Sequence, residues 1–264
     1  MTSDSTNEKG IESYSYRVLG VRVNAVQIPD VCARIQDWIK NRDCCRYIAV
    51  TGMHGIMEAQ HDPAFKSILN AADLVVPDGM PLIWLGRVQG CTLARRVYGP
   101  DLMLEVCRQS ASTRRTHFLM GGAPGVADRL ADALKHKFPG IVISGTCSPP
   151  FQPFTESQEE DLIRTINRAA PDIVWVGLST PKQEQWMHRN RQRLNVAVVL
   201  GVGAAFDFHS GTRRQAPRWM RDVGLEWLFR LTHEPKRLWR RYLIYGPQFL
   251  FYVALELFHL KKFD

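Results

Sequence analysis

Apolar and polar positions along the chain follow two alternating periods. Short apolar runs over residues 46–50, 74–76, 117–120, 141–144, 172–177 and 196–200 read as buried strands. Between them lie stretches with helical spacing. Residues 29–41 place Val31, Ile35, Trp38 and Ile39 on one face. Further helices are predicted from the Thr51-Gly52-Met53-His54-Gly55 turn to about Leu69, over 81–88 and 99–110, and from Gly125 to about Phe138. Two more are predicted over 156–170, capped by Thr155, and from Pro181 through Trp186. Residues 18–26 read as one or two short strands, and 148–153 as a proline-aromatic loop. Strands alternating with helices through short loops predict an α/β fold, a Rossmann-like, mostly parallel sheet with helices on both faces. No fixed-period repeat is visible.

After Gly211 the pattern changes. Residues 213–264 are basic and aromatic, lack buried-strand runs, and predict two or three helices broken at Pro217, Pro235 and Pro247. The chain therefore divides into a disordered N-terminus (1–16), a Rossmann-like domain (17–212) and a basic helical C-terminal appendage (213–264).

Composition sharpens this division. With 264 residues and 45% hydrophobic content, the chain can bury a core for one domain plus the appendage. The first 16 residues are polar and lack the apolar run of a signal peptide. Six cysteines show no CxxC pair and no metal-ligand spacing, so they read as reduced, mostly buried thiols of a cytosolic protein. Of the formal +8 charge, +7 falls within residues 213–262, where eleven Lys/Arg face four Asp/Glu. Such a tail suits nucleic acid, an anionic membrane surface or a phosphorylated ligand. Residues 242–260 are apolar but interrupted by Gly246-Pro247, Gln248 and Glu256. A membrane span needs about 20 apolar residues, so an interfacial helix, or one packed on the main domain, fits better.

Chemistry concentrates where the run 74–76 stops at Pro77-Asp78-Gly79. Ligands of open α/β sheets bind outside the carboxyl ends of strands, which puts Asp78 where chemistry usually sits in such a fold. The plainer reading is a turn in which Asp78 caps the helix starting near Pro81. Gly201-Val202-Gly203-Ala204-Ala205-Phe206 follows another strand and admits either a nucleotide or a close-packed helix, with Asp207 and His209 at its edge. Thr180-Pro181-Lys182-Gln183-Glu184 places polar side chains on a helix's first turn. There Glu184 suits the helix dipole and Gln183 a ligand contact through its amide. Arg95-Arg96 offers either the bidentate fork a diphosphate accepts or a solvated pair. Gly121-Gly122-Ala123-Pro124-Gly125 is neither GxGxxG nor a Walker motif, and reads as a tight turn or a phosphate site. His54 and His61 share no metal spacing with an acid, so no metal and no cofactor is expected.

In combination, Ala72-Asp73, Pro77-Asp78-Gly79, Arg95-Arg96, Gly99, Pro181, Gln183-Glu184 and Gly201-Val202-Gly203-Ala204 resemble the WecG/TagA/CpsF family of bacterial glycosyltransferases. In the tail, Ala216-Pro217, Glu226-Trp227, Arg230-Leu231, Glu234-Pro235, Arg237 and Arg241-Tyr242 are similar to that family's C-terminal appendage, so the resemblance runs from about Val18 to Leu250. It implies an inverting, metal-independent transfer in cell-surface polysaccharide synthesis. A sugar of glucose or N-acetylmannosamine type moves from a UDP-sugar donor to a sugar on undecaprenyl diphosphate. The protein is then cytoplasmic and peripheral to the inner face of the cell membrane, and a homo-oligomer stays open.

Under this resemblance Asp78 matches the catalytic base and Thr51 the substrate-pocket threonine, with His54 in the same loop. Arg95 or Arg96 matches the arginine beside the diphosphate. Gln183, Glu184, Gly201, Gly203 and Ala204 match the nucleotide side, with Asp207 at its edge, and Arg230, Arg237 and Arg241 match arginines that close over the site at an anionic membrane surface. One departure concerns the loop after Thr51. Many members carry asparagine two residues after the matching threonine; this chain has Met53, then His54, which looks closer to xanthan-type glucosyltransferases.

Two other classes compete. A nucleic-acid-binding module fits the basic tail, but no helix-turn-helix, RNP-like strand or zinc pattern is visible. A dinucleotide-dependent oxidoreductase lacks its GxGxxG fingerprint.

Overall fold

The computed structural model describes residues 15–149 and 154–263. The expected disordered N-terminus falls outside this range up to residue 14, as does most of the expected 148–153 loop. Ser15 and Tyr16 do not belong to that segment. They open strand β1 (Ser15–Val18), where Tyr16 is buried and its hydroxyl donates to Leu82 O at 2.8 Å.

Residues 18–26 resolve into a hairpin, with β1 antiparallel to β2 (Val21–Asn24). The remaining strands are β3 (Arg46–Thr51), β4 (Leu74–Pro77), β5 (Thr116–Gly121), β6 (Val142–Cys147), β7 (Ile173–Gly177) and β8 (Val198–Gly201). They form one parallel sheet in the order β4-β3-β8-β7-β5-β6. Asn24 ties the hairpin to this sheet by accepting from Val75 N–H at 2.9 Å.

The central strands read as unbroken apolar runs because both faces are covered. On β3, Tyr47 and Ala49 enter one core while Ile48 and Val50 enter the other. The first core receives α2 (Met53–His61), α3 (Pro63–Asn70), α4 (Met80–Val88), α7 (Glu156–Ala169) and α8 (Lys182–Asn190). The second receives α1 (Ile28–Lys40), α5 (Gly99–Thr113), α6 (Val126–Lys137) and α9 (Ala205–His209). Thr155 caps α7 through a reciprocal pair with Gln158, as its position predicts.

Some boundaries differ from expectation. The helix expected from the Thr51 turn to Leu69 is two helices, because Pro63 cannot continue α2 and Asp62 caps α3 through the N–H groups of Ala64 and Phe65. The appendage holds four helices: α10 (Arg218–Asp222), α11 (Glu226–His233), α12 (Pro235–Trp239) and α13 (Tyr245–Leu257), with a π-helical turn over Arg240–Ile244. Pro247 breaks nothing. It lies in the first turn of α13, where backbone N–H groups lack intrahelical partners anyway. Phe249 and Val253 seat α13 in the first core, and Glu256 accepts from Leu19 N–H at 3.1 Å. Among the described residues no helix is long and apolar enough to cross a membrane. All six cysteines are unpaired; Cys32, Cys45 and Cys107 are buried and Cys44 is exposed.

The carboxyl ends of the strands line up. Thr51 pairs with Pro77, Gly201 with Ala49 and Val176, and Gly121 with Gly177. The chain leaves β3 and β7 toward the first core but β8 and β5 toward the second, so a crevice opens along this edge. Its floor is tight. Gly121 has φ 147°, and a Cβ there would meet Gly177 Cα at 2.5 Å. Gly121→Ala is therefore expected to cost about 3 kcal/mol of stability, read from the urea midpoint.

Candidate active site

The crevice encloses a cleft of about 870 Å³, walled by the strand-end loops on one side and the appendage on the other. Asp78 lines it, in the loop between β4 and α4. It is not a cap, since α4 starts after Gly79 with no side-chain capping bond. Instead its backbone N–H donates to Thr51 O at 2.8 Å, and its Oδ1 accepts from Gly99 N–H at 3.3 Å. Burial pushes the carboxyl up to about 7, against the pull of Arg96, the Gly99 N–H and Arg230; the Glu226 carboxylate adds to the rise.

Thr51 stands differently. Its side chain is buried under the first turn of α2 and does not line the cleft; Oγ1 has no hydrogen-bond partner among the described residues. Its carbonyl carries the Asp78 loop, so Thr51 bears on Asp78 through the backbone. His54 does line the cleft, stacked on Tyr245 at 5.9 Å between ring centroids. Burial, with Arg241 and Arg230 nearby, depresses it to about 3, so it stays neutral.

Of the two adjacent arginines only Arg96 faces the cleft; Arg95 sits at an exposed bend. Arg96 lies 4.2 Å over the Tyr98 ring and pairs with Glu226 of α11 at 2.6 Å. Arg230, Arg237 and Arg241 line the appendage wall. Arg237 pairs with Glu234. Neither Arg230 nor Arg241 has a carboxylate partner within ion-pair distance among the described residues. Burial, with Arg230 and Arg237 beside it, lowers Arg241 to about 10. Like charges crowded in a half-buried wall raise one another's cost, and an anion between them would lower it.

On the opposite wall, Gln183 lines the cleft with its amide fixed. Oε1 accepts from Gly203 N–H at 3.1 Å, and Nε2 donates to Glu184 Oε1 at 2.9 Å. Glu184 is fully buried behind it, accepts also from Thr180 Oγ1 at 2.9 Å, and has its carboxyl raised by burial. Gly201 is a packing glycine, since a Cβ would meet Gln183 Nε2 and Met187 Cε, each at 2.9 Å. Gly203 and Ala204 line the cleft, as does Asp207, which pairs with Arg213 at 3.1 Å. Gly122 and Ala123 line its outer end. Thus the Gly201–Ala204 stretch does both things its composition admits, packing at one end and cleft lining at the other. Among the described residues no cluster of three His, Cys, Asp or Glu is placed to hold a metal ion.

Glu226, Tyr98 and Trp84 also line the cleft, and the sequence does not single out their roles. Glu226 is marked in the sequence as part of the Glu226-Trp227 pair of the tail and as a rare acid in a strongly basic stretch, but neither signal gives its partners.

Comparison with known proteins bears on this site. The family model described as "Glycosyl transferase WecG/TagA/CpsF family" matches residues 16–263. An N-acetylglucosaminyldiphosphoundecaprenol N-acetyl-beta-D-mannosaminyltransferase of Bacillus spizizenii is 32% identical over 186 residues, 70% of each chain. The Bacillus subtilis protein of that name is 30% identical over 185 residues, 69% of each chain. The Staphylococcus aureus (strain MW2) protein is 25% identical over 246 residues, 93% of this chain and 94% of that one.

Proposed function

Because the chain belongs to the WecG/TagA/CpsF family of glycosyltransferases, we propose that it is an inverting enzyme moving a sugar from a UDP-sugar to a sugar on undecaprenyl diphosphate. The observation that carries this reading is Asp78, a carboxyl raised to about 7 in a cleft whose facing wall is arginine-rich. Its value suits a general base near neutral pH. The acceptor hydroxyl attacks the anomeric carbon as its proton passes to an Asp78 oxygen. The new C–O bond forms while the bond to UDP breaks with its electron pair. Arg96, Arg230 and Arg241 meet the charge that develops on the departing diphosphate. Gln183, Gly203 and Ala204 hold the nucleotide side, with Glu184 fixing the Gln183 amide and Asp207 at the rim.

Residues 213–264 act as the membrane-facing part of this machine. Trp84, Trp227 and Leu250 line the cleft yet are 51%, 40% and 67% exposed, and Leu243, Phe251, Phe258 and Leu260 continue the apolar surface. Arg218 and Arg240 stand exposed in the same appendage. An anionic leaflet matches both properties, at about 1 kcal/mol per basic residue near it. The protein then works at the cytoplasmic face, where the acceptor's lipid stays in the bilayer while its sugar reaches Asp78. The relatives' names support an N-acetylmannosamine donor, and the Met53-His54 loop supports a glucose donor.

The test supplies UDP-glucose, UDP-N-acetylmannosamine or UDP-N-acetylglucosamine with polyprenyl-diphosphate acceptors bearing glucose or N-acetylglucosamine, and reads product mass. Added N-acetylhexosamine or hexose identifies the donor; no product from any pair in the presence of anionic vesicles overturns the proposal. Since the working form of Asp78 is deprotonated, kcat/KM is expected to rise with pH through about 7. A flat profile from pH 5 to 8 removes Asp78 from the base role.

A further inference from the structure

The only buried acid of the appendage among the described residues reaches across to the base's neighbourhood. Glu226 opens α11, and its side chain is 9% exposed. Both carboxylate oxygens are engaged. Oε2 takes Arg96 Nη2 at 2.6 Å, and Oε1 takes the Tyr98 hydroxyl at 2.9 Å. Tyr98 OH in turn accepts from Gln215 Nε2 at 3.0 Å, and its ring supports the Arg96 guanidinium. Arg96 thus has two carboxylates within its influence, Glu226 by direct contact and Asp78 by charge.

We propose that Glu226 is a positioning residue for the base, holding Arg96 off Asp78 across the seam between α11 and the main sheet. This rests on the assignment of Asp78 as base. A free guanidinium beside a carboxyl lowers it by about 1–3 pKa units and blocks the oxygen that must accept a proton. Glu226 is the carboxylate that Arg96 contacts, so the guanidinium acts on Asp78 by charge without pairing with it. The groups acting on Asp78 are Arg96, Glu226 and Arg230 of α11, and the Gly99 N–H of α5. From α2, His54 lines the same cleft in its neutral form.

The two partners therefore move Asp78 in opposite directions. In Glu226→Gln, Arg96 is released and the Asp78 midpoint falls by about one unit. In Arg96→Gln, the same midpoint rises. Tyr98→Phe removes a hydrogen bond but neither charge, so it lowers thermal stability and leaves the midpoint in place. The carboxyl carbon of Asp78, labelled with carbon-13 and assigned by its loss in Asp78→Asn, gives the midpoint directly by NMR titration of the full chain. This readout needs no turnover, so it stands even where the transfer assay fails. In the active enzyme the acid limb of kcat/KM shifts with the midpoint. Opposite shifts in the two charge variants support the positioning role. An unmoved midpoint in Glu226→Gln overturns it, and where that variant does not fold, an unmoved or lowered midpoint in Arg96→Gln does so.

Discussion

Asp78→Asn is expected to keep the fold and bind UDP, while turnover falls about 10²- to 10⁴-fold. The amide is nearly isosteric and still accepts from Gly99 N–H, whose bond to Asp78 is 3.3 Å. It cannot take the acceptor's proton. Burial is the largest cause of the raised carboxyl, so the folded state disfavours the charged form. Sign follows from that. The wild-type carboxylate is a burden on the fold above its raised value, and the asparagine variant relieves it. Thermal melting at pH 8 is therefore expected to be equal or higher in Asp78→Asn. Lost turnover together with a lowered melting temperature and lost UDP binding would point to a collapsed cleft instead of a missing base.

Arg241→Met carries the second large effect, and again stability and activity move apart. Burial and the neighbouring Arg230 and Arg237 depress this guanidinium to about 10. A base whose folded value lies below its ordinary one is destabilised in its charged form, so the variant is expected to melt higher. Loss of a preorganised cation at a developing charge costs about 10²- to 10³-fold in kcat. UDP affinity falls in the same variant. Arg164→Met supplies the contrast, being 64% exposed at its side chain, on α7 and outside the cleft; neither melting nor kcat should move. A lower melting temperature with unchanged kcat in Arg241→Met would make Arg241 a structural residue.

Much of the main domain is legible in the sequence, because period-2 runs and helical spacing report burial directly. The run 74–76 ending at Pro77-Asp78 located a loop that lines the cleft. Thr155 and Gln158 marked a helix start by composition alone. What the sequence withheld was direction. Arg95 and Arg96 are the same residue type in adjacent places, and only the bend at Arg95 decides which one faces the cleft. Thr51 sits at the end of its strand, but its side chain turns under α2 while its carbonyl meets the cleft loop. Gly201 and Gly203 look equivalent in the chain, yet one admits a helix and the other lines a wall. Glu226 was beyond reach for a different reason. Its partners Arg96 and Tyr98 lie 130 and 128 residues away in sequence, and no local pattern encodes a pairing at that distance.

The seam between Glu226 and Arg96 also has a consequence in time. The ribosome makes the sheet's last strand, β8, before it makes α11 and α13. At about 5–20 residues per second, the chain after Gly201 takes several seconds to emerge. During that interval the nascent polypeptide holds Asp78 on a nearly finished sheet without the arginines opposite. A premature stop between β8 and α11 would leave the same half-built cleft. Such a product carries the six strands of the main sheet but lacks Arg230, Arg237 and Arg241, so translation itself postpones the arginine wall of the cleft until α11 to α13 are made.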